Sequence, residues 1–131
     1  MDNFPEASAV RLTVLVVDDE PTIIVMARTV LERAGYAVLG AADGPDAVAM
    51  FRDNDHIAVV VLDLNLPGLN GWQVLAELRR LRGDARVVLT TGSIIDYTPS
   101  GEPQHLPTAL LPKPYRPADL VAVAGRVLAA R

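Results

Sequence analysis

Cysteine is absent from the 131 residues. That excludes a disulfide framework and a thiolate metal site. Long apolar runs are missing too, and none approaches the roughly 20 residues of a membrane span. The N-terminus, Met1-Asp2-Asn3-Phe4-Pro5-Glu6, lacks the basic region followed by an apolar one that marks a secretory signal. The expectation is a soluble, cytoplasmic protein with no membrane contact. Positive charge is also in deficit. Twelve basic residues stand against 16 acidic ones, for a net charge of −4, which argues against direct nucleic-acid binding. Lysine is scarcest among the charged residues. Eleven of the basic residues are Arg, and Lys113 is the only lysine. Nucleotide bias toward Ala and Arg accounts for the excess of Arg, and it makes a surviving lysine informative about its position.

The length suits one domain, large enough to bury roughly two-thirds of its unfolded surface without staples. Residues 1–10 read as a loose tail and 11–131 as the domain. Leu12 to Val17 forms an apolar run that ends in Asp18-Asp19-Glu20. Pro21 suits the first turn of a helix, Ile23, Ile24, Ala27, Val30, Leu31 and Ala34 recur at helical spacing, and Gly35 stops it. Tyr36 to Gly40 is a second strand, and Asp43-Gly44-Pro45 opens a second helix with Ala47, Val48 and Phe51 inward. Ile57 to Leu62 is a third strand, continuous in its hydrophobicity as a strand buried on both faces should be. It drives into Asp63 and then into the turn Leu64-Asn65-Leu66-Pro67-Gly68-Leu69-Asn70-Gly71. Asn70 is placed to cap a third helix lined by Val74, Leu75, Leu78 and Leu81 and ended by Gly83. Arg86 to Thr90 is a fourth strand leading to Thr91-Gly92-Ser93. Between Ile94 and His105, Pro99, Gly101 and Pro103 interrupt any helix, and a loop with at most one helical turn near Ser93 to Tyr97 is expected. Ala109 to Leu111 is a short fifth strand before Pro112-Lys113-Pro114, and Pro117 opens a last helix. Strands alternating with helices imply a parallel, doubly wound sheet.

Four strand ends thus carry chemistry: Asp18 and Asp19, Asp63, Thr91, and Lys113. In an open parallel sheet, sites lie outside the carboxyl ends of the strands. Each residue alone has a plainer reading. An Asp-Asp pair before a helix is often a cap, Thr suits a strand, and Lys before Pro suits a solvated turn. Together they suggest more. Carboxylates converging without a partner repel, and a hard divalent cation such as Mg²⁺ relieves this while keeping room for phosphate oxygens. A nearby ammonium adds a point charge for a phosphoryl oxygen, and an aspartate can itself be the nucleophile.

Over residues 11–130 the chain resembles the receiver domain of two-component response regulators. The resemblance rests on Val16-Val17-Asp18-Asp19-Glu20, on Asp63 to Gly71, on Thr91-Gly92 and on Lys113-Pro114-Tyr115. It implies a flavodoxin-like fold, a five-stranded parallel sheet in the order 2-1-3-4-5. It further implies that Asp63 accepts a phosphoryl group from a histidine kinase or histidine phosphotransfer protein. By the same resemblance Asp19 would bind Mg²⁺ directly, Asp18 largely through water, and Asn65 through its backbone carbonyl. Thr91 and Lys113 would contact the phosphoryl oxygens, Gly92 would leave the group accessible, and Lys113-Pro114 would be cis. Phosphorylation would then switch a protein-binding surface, with no catalysis beyond the domain's own phosphorylation and dephosphorylation.

Two departures from the family pattern touch the output face. Leu110 stands where an aromatic residue usually precedes the lysine by three positions, and the fourth helix is broken. Alternatives are a pseudo-receiver kept as an interaction module and a Mg²⁺-dependent aspartyl-phosphate hydrolase. The hydrolase reading meets Asn65 where a second aspartate is usual. A nucleotide- or flavin-binding domain lacks its Gly-rich loop after the first strand. His56 and His105 have no second ligand at metal spacing, Trp72 reads as packing, and Arg79, Arg80 and Arg82 read as a solvated helix face.

Overall fold

Nine elements alternate along the chain. They are β1 (Thr13–Val17), α1 (Pro21–Arg33), β2 (Ala37–Ala41), α2 (Gly44–Asp53), β3 (Ile57–Asp63), α3 (Gly71–Leu81), β4 (Val87–Thr91), β5 (Ala109–Pro112) and α4 (Pro117–Ala129). The computed structural model describes residues 11–92 and 106–129. The expected tail, 1–10, and the expected irregular stretch, 94–105, lie outside those residues. The five strands form one sheet in the order β2-β1-β3-β4-β5, with every neighbouring pair parallel. This is the flavodoxin-like, doubly wound arrangement expected from the sequence.

The helices begin where side chains satisfy their first N–H groups. The Asp43 carboxylate accepts from the Asp46 N–H at the start of α2. Asn70 and Gln73 form a reciprocal capping box at the start of α3. α1 instead starts on a proline, whose missing N–H leaves one fewer donor to satisfy.

Alternation along the strands sorts the core into two layers. On one face Leu15, Val17, Val60, Leu62, Val87 and Leu89 meet α2 and α3 through Phe51, Val74, Leu75 and Leu78. On the other Val14, Val16, Val59, Val61, Val88 and Leu111 meet α1 and α4 through Ala27, Leu31, Leu120 and Val127. The second layer is the one that leads to the site.

One expectation needs correction. Arg79, Arg80 and Arg82 do not share a solvated role. Arg79 donates to the Ala85 carbonyl at 2.8 Å and to the Thr108 hydroxyl at 3.3 Å. Arg82 donates to the Ile57 carbonyl at 2.7 Å and lies over the Phe51 ring, 4.2 Å from its centroid. Carbonyls at strand starts and loop ends need donors, and a long planar cation supplies them while its stem covers apolar surface. Only Arg80 keeps to the surface, paired with Glu77 at 2.9 Å. Trp72 packs against the first layer as expected. His56 is exposed beside Asp55, and His105 lies outside the described residues.

Candidate functional site

Asp18, Asp63 and Lys113 continue one face of the sheet. Val14 and Val16 lead at period two to Asp18, Val59 and Val61 lead to Asp63, and Leu111 leads to Lys113. The backbone holds the alignment past the strand ends. The Asp18 N–H donates to the Ala41 carbonyl at 3.0 Å, and the Lys113 N–H donates to the Thr91 carbonyl at 2.8 Å. Three strands, each anchored in an apolar layer, therefore deliver two carboxylates and an amine to one edge.

The carboxylates are buried although they carry charge: Asp18 is 3% and Asp63 4% exposed. Lys113 Nζ stands 3.2 Å from Asp63 Oδ2 and 3.5 Å from Asp18 Oδ2. The remaining oxygens accept backbone donors. Asp63 Oδ1 takes the Asn65 N–H at 3.1 Å, and Asp18 Oδ1 takes the Glu20 N–H at 2.9 Å. Asp19 is exposed and completes the acidic group. One ligand atom from each of Asp18, Asp19 and Asp63 lies within 4.8 Å of the others.

Burial pushes the Asp63 carboxyl above its ordinary value of 3.8, with Asp18 adding to the effect, and this outweighs the Asn65 N–H and Lys113, which favour the ionised form. For Lys113, burial works to lower the amine's value, but the Asp63 and Asp18 charges win and hold it above 10.5. Tyr115 is also raised, first by burial and then by the charge of Asp18. One ammonium thus faces three carboxylates, which leaves negative charge unbalanced. An all-oxygen donor set with surplus negative charge, open on its Asp19 side, fits a hard divalent cation of the Mg²⁺ kind. Asp18, Asp19 and Asp63 could hold it.

The structure gathers Asp18, Asp19, Asp63 and Lys113 side chain to side chain. Asn65 joins through its N–H, while its side chain is exposed. Thr91 is buried at the end of β4 and tied by its carbonyl to Lys113. A Cβ built on Gly92 meets nothing within 4 Å, so that side of the site is open. The Lys113-Pro114 peptide is cis.

Two residues have structural parts that spacing alone did not reveal. A Cβ on Gly71 would lie 2.6 Å from Leu64 Cα and 2.9 Å from the Asp63 carbonyl oxygen, so α3 can start against the phosphate-facing strand end only on a glycine. Its N–H donates to the Leu64 carbonyl at 2.8 Å. Glu20 is the second, exposed at the head of α1 with no side-chain cap. A glycine directly after a capping Asn was the available signal for the first. For Glu20 the sequence offered only its place after Asp18-Asp19.

Comparison with known proteins agrees with this geometry. "Probable transcriptional regulator ycf27" of Porphyridium aerugineum is 36% identical over 115 residues, covering 88% of this chain and 47% of that protein. The chain therefore spans less than half the length of that relative. Among solved structures, chemotaxis protein CheY4 of Vibrio cholerae matches with a TM-score of 0.79 at 28% identity, covering 91% of this chain and all (100%) of that one. A response regulator receiver protein from Sinorhizobium medicae matches with a TM-score of 0.80 at 26% identity, covering 92% and 96%. Residues 14–124 match the response regulator receiver domain as a family. With the sheet order, the acidic edge and the sequence match in agreement, the chain belongs to the response regulator receiver domains.

Proposed function

We propose that Asp63 is the phosphoacceptor of this receiver, that Asp18, Asp19 and the Asn65 carbonyl hold Mg²⁺ with it, and that Thr91 and Lys113 receive the phosphoryl oxygens. The domain so defined is 11–131. Receiver domains are signalling modules rather than classical enzymes, and the family accepts phosphoryl groups from histidine kinases or phosphotransfer proteins. The observation that carries the residue assignment is the Lys113 ammonium 3.2 Å from Asp63 Oδ2, with Asp18 and Asp19 beside it. No other group of three metal-ligating side chains occurs among the described residues.

In this reading an Asp63 oxygen attacks phosphorus in line. The new O–P bond forms as the donor's N–P bond breaks, and the electron pair returns to the histidine nitrogen. When bound, Mg²⁺ neutralises charge on the phosphoryl oxygens. The chain's own residues do the rest. The Asn65 N–H fixes one Asp63 oxygen, so the carboxylate is oriented before the donor arrives. Lys113 exchanges its contact with Asp63 for one with a phosphoryl oxygen, keeping its charge where negative charge accumulates. That exchange is the local event that a partner-binding surface would sense. The partner surface itself is a protein surface, and nucleic acid and membrane are not proposed as its ligands.

Incubation with acetyl phosphate and Mg²⁺, followed by intact mass, tests the assignment. The expected result is a single phosphoryl adduct that requires the metal and disappears in Asp63→Asn. An adduct that persists in Asp63→Asn removes Asp63 from its role.

A further inference from the structure

A cavity of about 460 Å³ adjoins the site, lined by Glu20, Ile23, Met26, Gly92, Lys113, Pro114 and Tyr115. Because Lys113 lines it and also touches Asp63, the cavity opens directly onto the acceptor carboxylate. Its walls are mainly apolar. Ile23 and Met26 come from α1, and Pro114 and Tyr115 follow β5. The one acidic side chain on the lining is Glu20, which is exposed and has no hydrogen-bond or ion-pair partner among the described residues. The site's own carboxylates are engaged by Lys113 and backbone N–H groups, so Glu20 is the charge left over on this side.

Resting on the phosphoacceptor assignment above, we propose that this cavity holds the leaving group of the phosphodonor and that Glu20 selects a cationic, planar heterocycle there. Apolar walls beside a lone carboxylate suit an imidazole ring, whose faces are apolar and whose ring carries positive charge when protonated. They disfavour a small anion such as acetate, which would face Glu20 with like charge. Glu20 is a specificity residue here, not a catalytic one, since it touches neither phosphorus nor the attacking oxygen.

Two small donors separate these cases. Phosphoimidazole and acetyl phosphate share the phosphoryl group and differ in what leaves. In the first, the Asp63 O–P bond forms, the P–N bond breaks, and the pair goes to the ring nitrogen, which takes a proton from water. In the second the P–O bond breaks and acetate departs. The measurement is the ratio of the two phosphorylation rates, under one Mg²⁺ concentration, in wild type, Glu20→Gln and Glu20→Lys. Any effect of Glu20 on the metal acts on both rates and cancels in the ratio. The expected result is a preference for phosphoimidazole that falls about threefold in Glu20→Gln, a size suited to an exposed charge, and falls further in Glu20→Lys. Added salt should shrink the wild-type preference toward that of Glu20→Gln. If both donors label Asp63 and the ratio is the same in all three proteins, Glu20 does not select the donor and the inference is overturned. Labelling that survives Asp63→Asn, or no labelling by either donor, overturns the acceptor assignment instead, so the two failures are distinguishable.

Discussion

At the scale of single residues, the site is a balance between burial and charge. Asp63 is almost wholly enclosed, and its carboxyl sits above the ordinary value because burial outweighs its helpers. A raised value in the fold means that the protonated form is favoured by folding, so this group's contribution declines as pH rises through its folded value. Asp63→Asn removes that penalty while keeping the shape and an oxygen for the Asn65 N–H. The metal-free variant should therefore melt higher than the metal-free wild type, by about 1 kcal/mol in stability at neutral pH. The gap should narrow as pH falls toward 3.8, the ordinary aspartate value. A gap that is constant across this range would show that the burial of charge is not what the substitution relieves. Lys113 has the opposite sign. Lys113→Ala strands two buried carboxylates and should lower the melting temperature. The loss should be much smaller in an Asp63→Asn background, because residues in contact do not contribute additively. Lys113→Arg keeps the charge but changes its shape and reach. It should fold and bind Mg²⁺, and phosphorylation should no longer produce the spectral change seen in wild type.

At the scale of elements, the start of α3 is where packing and chemistry meet. The capping box of Asn70 and Gln73 orients the helix, and Gly71 lets it approach the end of β3. Asn70→Ala should cost about 1 kcal/mol. Gly71→Ala should cost about 1–3 kcal/mol, since the added carbon meets backbone that cannot rotate away, and it should also slow phosphorylation by displacing Asp63. Gly83→Ala is the matched control, with nothing within 4 Å of its new carbon, and should stay within about 0.5 kcal/mol. Chemical denaturation of the three variants separates a local clash from a general intolerance of substitution. These elements were legible in the sequence to unequal degrees. Strands β1, β3 and β4 announce themselves as unbroken Val and Leu runs, and Asn70 announces its helix by cap chemistry. The donors that tie the far ends together were not legible. Arg79 and Arg82 reach carbonyls 6 and 25 positions away in sequence, and a charge pattern reports the cation without its acceptor.

At the scale of the whole molecule, the sheet order turns a scattered set of residues into one edge. Asp18, Asp63 and Lys113 lie far apart in the chain and were legible because strand ends of an open parallel sheet share an edge. Which of them touch was legible only in part. Period-two alternation places all three on one face, but the contact distances depend on registers that no local pattern encodes. Mg²⁺ binding to that edge should stabilise the fold as a whole, by about 2.7 kcal/mol when the metal is at 100 times its Kd. For a domain of this size that corresponds to a rise of roughly 10 °C, at about 4 °C per kcal/mol. Calorimetry across a Mg²⁺ titration should show it in wild type and lose it in Asp19→Asn. An unchanged melting temperature in wild type at high Mg²⁺ would count against the metal site.

The composition that leaves Lys113 as the only lysine also makes the molecule chemically addressable. An acylating reagent that prefers amines has one ε-amine to find, and that amine stands against the acceptor carboxylate. Its labelling rate is then a built-in gauge of site occupancy, readable by peptide mapping without a fluorophore or an engineered handle. A phosphoryl group drawn against Lys113 should shield it. Stripping the acidic partners away should expose it, so the same protein reports its own state at the atom where that state is set.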